Sequence, residues 1–215
     1  MNRTGSMLVL AILAGAAGAT TASAQLPGIP YGPVETGLGL TVAADYGKPN
    51  DDAGGGSAYG LTAGLGFSRF GFSASAGMYK PEGATDSEMG LAARLGMRLF
   101  GGGLNPIQIG AQVGVSTISF PVSATADERF TAIMPGAFVK LSPPLFPLKP
   151  FGQIYYPTGD VEEELRFVVG ANFNLLLGLG LHAAYDYGDS GGILGVGAHF
   201  TFRVPGLGVP GVPGM

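Results

Sequence analysis

The chain predicts an all-β fold: a closed, antiparallel, up-and-down transmembrane β-barrel of ten strands, with eight as the alternative. Short periplasmic turns and longer acidic extracellular loops are expected to join the strands. Three observations predict this. First, apolar residues alternate with glycine or small residues, as in Gly37-Leu38-Gly39-Leu40-Thr41-Val42-Ala43-Ala44-Asp45-Tyr46, and a period of two sends each set to its own face of a strand. Second, the pattern recurs at lengths near ten residues, enough for a tilted strand to cross a bilayer. Third, charged residues make up only 12% of the chain and glycine 39 of its 215 residues. The second face is therefore Gly, Ala, Ser and Thr, a poor solvated surface but a good filling for a narrow lumen. No apolar run beyond the first 24 residues approaches the ~20 that a membrane helix needs.

The elements follow in order. Residues 1–24 read as a cleavable signal peptide: Arg3 in a basic n-region, an apolar stretch from Met7 to Ala19, and Ala22-Ser23-Ala24 before Gln25. Residues 25–35 are expected as an N-terminal periplasmic segment, 36–204 as the outer-membrane barrel, and 205–215 as a flexible Val-Pro-Gly-rich tail that cannot donate a regular ladder. Cysteine is absent, which suits an exported bacterial protein held by sheet closure without disulfides. The alternation predicts strands over 36–46, 58–69, 70–80, 88–100, 106–118, 129–141, 149–156, 163–176, 178–187 and 193–204. Links such as 68–71, 101–105 and 177–178 are tight, whereas 48–56, 81–87, 121–128, 157–164 and 188–192 are longer, polar and acidic. Pro135 and the Pro-rich 143–150 stretch are the irregular points, because proline cannot donate to a ladder.

Charge and aromatic placement agree with this topology. Of the 15 acidic residues, only Glu35 falls outside the proposed loops and adjoining strand ends. Seven of the 8 tyrosines (all but Tyr31) lie toward the same loop end, and phenylalanine dominates the other. Aromatic rings belong at headgroup level, so two girdles are expected. The formal charge of −4 becomes −5 when Arg3 leaves with the signal, which argues against nucleic acid.

The signal, the opening Thr36-Gly37-Leu38-Gly39-Leu40, the Gly/apolar strands and the closing Gly195-Val196-Gly197-Ala198-His199-Phe200-Thr201-Phe202 resemble the small outer-membrane β-barrel domain proteins of Gram-negative-type bacteria (outer-membrane protein A/X-like barrels). The resemblance implies location in the bacterial outer membrane, with membrane lipids and the barrel insertion machinery as partners. It also implies that an aromatic residue ends the last strand as an insertion signal. Phe202 fits that role, although Arg203-Val204 and the tail follow it.

Alternation places Arg94, Arg98, Lys140, Arg166, His182, Asp186, His199 and Arg203 in the lumen, with Asp45, Gln108, Gln112, Asn172 and Asn174. One reading is a basic constriction favouring anions. The other is that these charges pair with one another and fill the barrel, since isolated buried charge is costly. In the loops, Asp51 and Asp52, and Asp160 with Glu162, Glu163 and Glu164, offer oxygen ligands for divalent cations, but neither run has a calcium-loop spacing and solvated charge that keeps the loops soluble explains them better. Catalysis has little to draw on. His182 and Asp186 share a face but stand about 13 Å apart along the strand, and His199 with Thr201 is a His-x-hydroxyl spacing that faces the lumen. The sequence thus reads as an outer-membrane barrel with a structural or interaction role, or a narrow pore, without catalysis, metal or cofactor. A small anion-preferring channel with a basic lumen is the alternative; a lipid- or peptide-hydrolysing barrel stands behind it.

Overall fold

A computed structural model describes residues 29–102, 105–123, 126–143 and 146–202. Ten strands account for most of them: β1 Gly39–Pro49, β2 Ser57–Phe67, β3 Phe70–Lys80, β4 Glu88–Gly102, β5 Asn105–Ser123, β6 Ala126–Leu141, β7 Leu148–Tyr155, β8 Arg166–Asn174, β9 Leu179–Gly188 and β10 Gly191–Phe202. Every strand runs antiparallel to its sequence neighbours, and β10 returns to β1 in a ladder from Leu40↔Phe202 to Pro49↔Ile193. That pairing closes the sheet and removes both edges. The barrel has ten strands, not eight.

Two boundaries differ from the sequence reading and one irregularity is accommodated, each for a local reason. The polar loop expected over 121–128 is instead a continuation of the β5–β6 hairpin, with Phe120↔Glu128, Pro121↔Asp127 and Ser123↔Ala126 paired. Strand β8 begins at Arg166, and not at 163, because Glu164 is drawn into a buried ion pair with Arg166. Pro135 sits inside β6 without breaking it. On its β7 side the ladder spans only Gly136 to Lys140, and a two-residue bridge, Thr158–Gly159, pairs with Ala132 and Ile133. Pro135 falls in the gap between them, where its missing N–H forfeits no ladder bond.

The two faces separate as the alternation requires. Leu61, Leu91, Leu95, Val113, Leu181 and Val196 are exposed on the outside, Leu61 by 65%, whereas Asp45, Ser73, Ser75, Arg94 and Ser116 are buried on the inside. An outer wall this apolar is stable only against lipid. At the loop end Tyr46 and Tyr59 pack with centroids 5.2 Å apart, and Tyr187 stacks on both Phe167 and Tyr185. Two tyrosines counted toward that girdle belong to the lumen: Tyr79 donates its hydroxyl to the Gly55 carbonyl at 3.1 Å, and Tyr155 donates to Asp186. At the opposite, turn end, Phe202 packs edge-on against Phe200 with centroids 4.3 Å apart.

Depth along the wall sets the cost of a misplaced charge. Leu61, paired with Ala44 and Ala76 at the centre of β2, lies at mid-height, whereas Leu40 pairs with Phe202 near the turn rim. Leu61→Arg is expected to destabilise the barrel in a bilayer by about 2–4 kcal/mol, and Leu40→Arg by about 0–1. Equilibrium unfolding from lipid vesicles reads both; equal costs would mean that this face does not meet hydrocarbon.

Candidate functional site

The lumen is occupied by the protein's own chain. Residues 29–36 contain Pro30 and Pro33, which lack the N–H that strand pairing needs, and the segment runs up the inside of the barrel as an extended strap. At the turn end the Gly37 amide donates to the Ser68 carbonyl at 3.0 Å. Above it, Glu35 forms an ion pair with Lys140 of β6. Higher still, Arg94 Nη1 donates to the Gly32 carbonyl at 2.9 Å, and its guanidinium stands 5.2 Å from the centre of the Tyr31 ring. Gln153 Nε2 donates to the Tyr31 carbonyl at 2.7 Å, while its Oε1 accepts from Gln112 Nε2 at 2.6 Å. The strap tops out at Ile29, packed with Ala58, Tyr79 and Ile118 in the loop-end third.

Glycine on the inner face makes the passage. A Cβ on Gly71 would come within 2.2 Å of the Glu35 carbonyl oxygen, and one on Gly195 within 2.5 Å of Pro30 Cδ. The periplasmic placement expected for 25–35 is therefore corrected for residues 29–35, which lie in the barrel. Their carbonyls would cost about 1–3 kcal/mol each if buried without a partner, and Arg94 and Gln153 supply two of the partners.

The residues predicted to line the lumen do not form one basic ring. Arg166 and Asp186 meet at the loop end, with Nε 3.0 Å from Oδ1, in a clamp that also takes Glu164, the Ser190 hydroxyl and the Gly191 carbonyl. Glu164 is thereby removed from the acidic run thought available to cations. Asp51, Asp52, Glu162 and Glu163 stay exposed, and Asp160 accepts from the Thr131 amide at 3.0 Å. Among the described residues no three His, Asp or Glu side chains converge as metal ligands. Arg98 lies at the turn rim, 3.4 Å from the Ser68 carbonyl, and Arg203 falls outside the described residues.

The histidines find a different carboxylate from the one on their own strand. His182 Nε2 lies 2.5 Å from Asp45 Oδ1, across β10. Gly197 pairs with both Asp45 and His182 and stands between them, where a Cβ would be 2.4 Å from the imidazole. His182 Nδ1 is 3.3 Å from His199 Nδ1. Thr201 is no partner for His199, because its hydroxyl bonds Thr41 at 3.0 Å. The His199–Thr201 spacing therefore builds no hydrolytic pair here.

Beneath the Arg94–Tyr31 level, the turn-end half of the lumen holds a cavity of about 820 Å³, lined by Lys140, Lys149, Gln108, Asn172, Asn174 and His199, among others. The sequence reading missed Glu35, Tyr31, Lys149 and Gln153. The one usable signal was Glu35, the acid that belonged to no loop.

No family model and no curated protein matches this chain. Among solved structures it is similar to the KdgM porin, at 9% identity over 75% of this chain and 99% of that one, with a TM-score of 0.48. It is also similar to the N-terminal β-barrel domain of Pseudomonas aeruginosa OprF (15% identity, 78% and 100% covered, TM-score 0.39). Neisserial surface protein A is a third (15% identity, 76% and 95% covered, TM-score 0.38). Likeness at this level says nothing about activity.

The loop-end clamp carries a pH dependence. Burial alone would raise the Glu164 carboxyl, but the Ser190 hydroxyl and amide and the Arg166 guanidinium outweigh it and hold the group below the ordinary carboxylate range. A lowered folded value means that the stabilisation is complete above the unfolded value of about 4.3 and is lost as pH falls through the folded one. Melting in detergent micelles should show wild type losing stability below about pH 4.3. Glu164→Gln should be lower by about 1.5–3 kcal/mol at pH 7 and flatter in acid; parallel curves would exclude the clamp as the source.

Proposed function

We propose that this protein is a small outer-membrane barrel that its own N-terminal strap holds closed, a structural element of the membrane that does not conduct at rest. The observation that carries this reading is the strap itself, threaded through the lumen and held by Arg94, Gln153 and Lys140. A ten-strand lumen is wider than the eight-strand kind that side chains alone fill, so the interior needs a filler, and residues 29–36 are that filler. The apolar wall, the tyrosine-rich loop end and the acidic loops support an orientation with turns toward the periplasm and loops outside. The likeness to small outer-membrane A/X-type barrels belongs to the same reading, as does export by the signal at 1–24.

Planar-bilayer recording tests it. The full-length protein should be silent, and deletion of residues 29–35 should give a steady current. Arg94→Ala and Lys140→Ala, which release one tether each, should give flickering openings. A steady current from the wild type would sink the closed reading, and silence of the deletion would show that something other than the strap blocks the lumen.

A further inference from the structure

The cavity below the strap has a chemical bias of its own. Among the described residues, three cations, Arg94, Lys140 and Lys149, face it or roof it, against one carboxylate, Glu35. The strap's Arg94–Tyr31 layer stands between the cavity and the loop end, so the space opens toward the turns and ends blind. Its neutral lining includes three side-chain amides, Gln108 on β5 and Asn172 and Asn174 on β8, which can donate hydrogen bonds without adding charge.

The charges are close enough to act on one another. Lys140 and Lys149 both act electrostatically on Glu35, and together with Glu35 and His182 they act on His199. Of the other acids inside, Asp45 is taken by His182 and is buried, and Asp186 and Glu164 are held by Arg166 at the loop end. Glu35 is different: its side chain is 43% exposed, whereas that of Lys140 is 9% exposed. The carboxylate thus reaches the ammonium from the cavity side, where a mobile anion would sit.

We propose that this turn-end cavity is a blind binding pocket for a small water-soluble anion bearing a carboxylate or phosphate group, in which Lys140 and Lys149 supply the charge, Gln108, Asn172 and Asn174 the neutral hydrogen bonds, and Glu35 acts as a built-in competitor. It differs from an anion channel because the solute is held and not passed. The inference rests on the strap being in place. It also couples the pocket to the strap. An anion that displaces Glu35 from Lys140 removes one of the strap's tethers, and by linkage a change at Glu35 itself that weakens its hold on Lys140 strengthens anion binding.

Calorimetric titration of the full-length protein in detergent at low ionic strength tests this, with inorganic phosphate and citrate as probes and glucose as the neutral control. Wild type should bind both anions and not glucose. Lys149→Ala should weaken them at least about tenfold, as expected for losing a charged partner in a partly buried site, and Glu35→Gln should tighten them by a similar factor. Anions that bind no better than glucose to both wild type and Glu35→Gln would overturn the proposal. So would anion affinity unchanged by Lys149→Ala, or weakened by Glu35→Gln. Dihexanoylphosphatidate carries the phosphate on a lipid; binding tighter than inorganic phosphate would overturn the assignment to a free solute. Conductance recorded without added anions reports the strap separately. A wild type that conducts steadily contradicts the closed barrel, whereas a silent one that ignores anions contradicts only the pocket.

Discussion

Closure of the sheet is the constraint on which everything else depends. In hydrocarbon an unpaired backbone N–H or C=O costs several kcal/mol, so a strand with an open edge cannot remain there. The β1–β10 ladder from Leu40↔Phe202 to Pro49↔Ile193 removes that edge. Once the ring is closed, the period of two becomes a division between lipid and lumen. Leu61 and Val113 can face acyl chains only because the residues between them face a space that lipid cannot enter.

That inner space then imposes a second demand. Glycine and other small residues line it, and ten strands enclose more volume than such residues can fill. The strap answers the demand with backbone. Prolines keep it out of the sheet, and Gly71 and Gly195 leave the room it needs. Its exposed carbonyls then require donors, which explains why Arg94 and Gln153 project inward at mid-height. The charges are distributed by the same economy of pairing. Arg166 lies between Glu164 and Asp186 at the loop end, His182 against Asp45 in the middle, and Lys140 against Glu35 toward the turns. Each of these groups meets a polar or charged partner because burying it alone would be far more costly; Arg94, also buried, is met by the Gly32 carbonyl and the Tyr31 ring. The result is an interior with a sealed clamp at one end and an open polar cavity at the other.

Much of the wall was legible residue by residue. The paired register Leu40–Val42–Tyr46 outside and Asp45 inside could be read from alternation, since a slip of one would turn every side chain to the wrong medium. The ends of strands were less legible where a neighbour decided them. The β5–β6 hairpin continues through Pro121 because the two strands pair with each other beyond the wall, and β8 starts late because Glu164 is captured by Arg166. The lumen was the least legible part. His182 was weighed against Asp186 on its own strand, but its carboxylate comes from Asp45, far away in sequence and brought close by barrel closure.

The sequence by itself therefore determined the fold class, the lipid or lumen face of most strand residues, and the segregation of acids and tyrosines to one end. These follow from local periodicity and from the solvent each residue type tolerates. Only the tertiary structure decided what fills the barrel. Residues 29–36 carry no periodic signal, and nothing local distinguishes a Pro-rich strap in water from one in a lumen. Its position depends on Arg94, Lys140 and Gln153, which the chain supplies 62, 105 and 122 residues away from their partners. Such contacts exist only after the ring has closed, because closure alone brings those strands around a common axis.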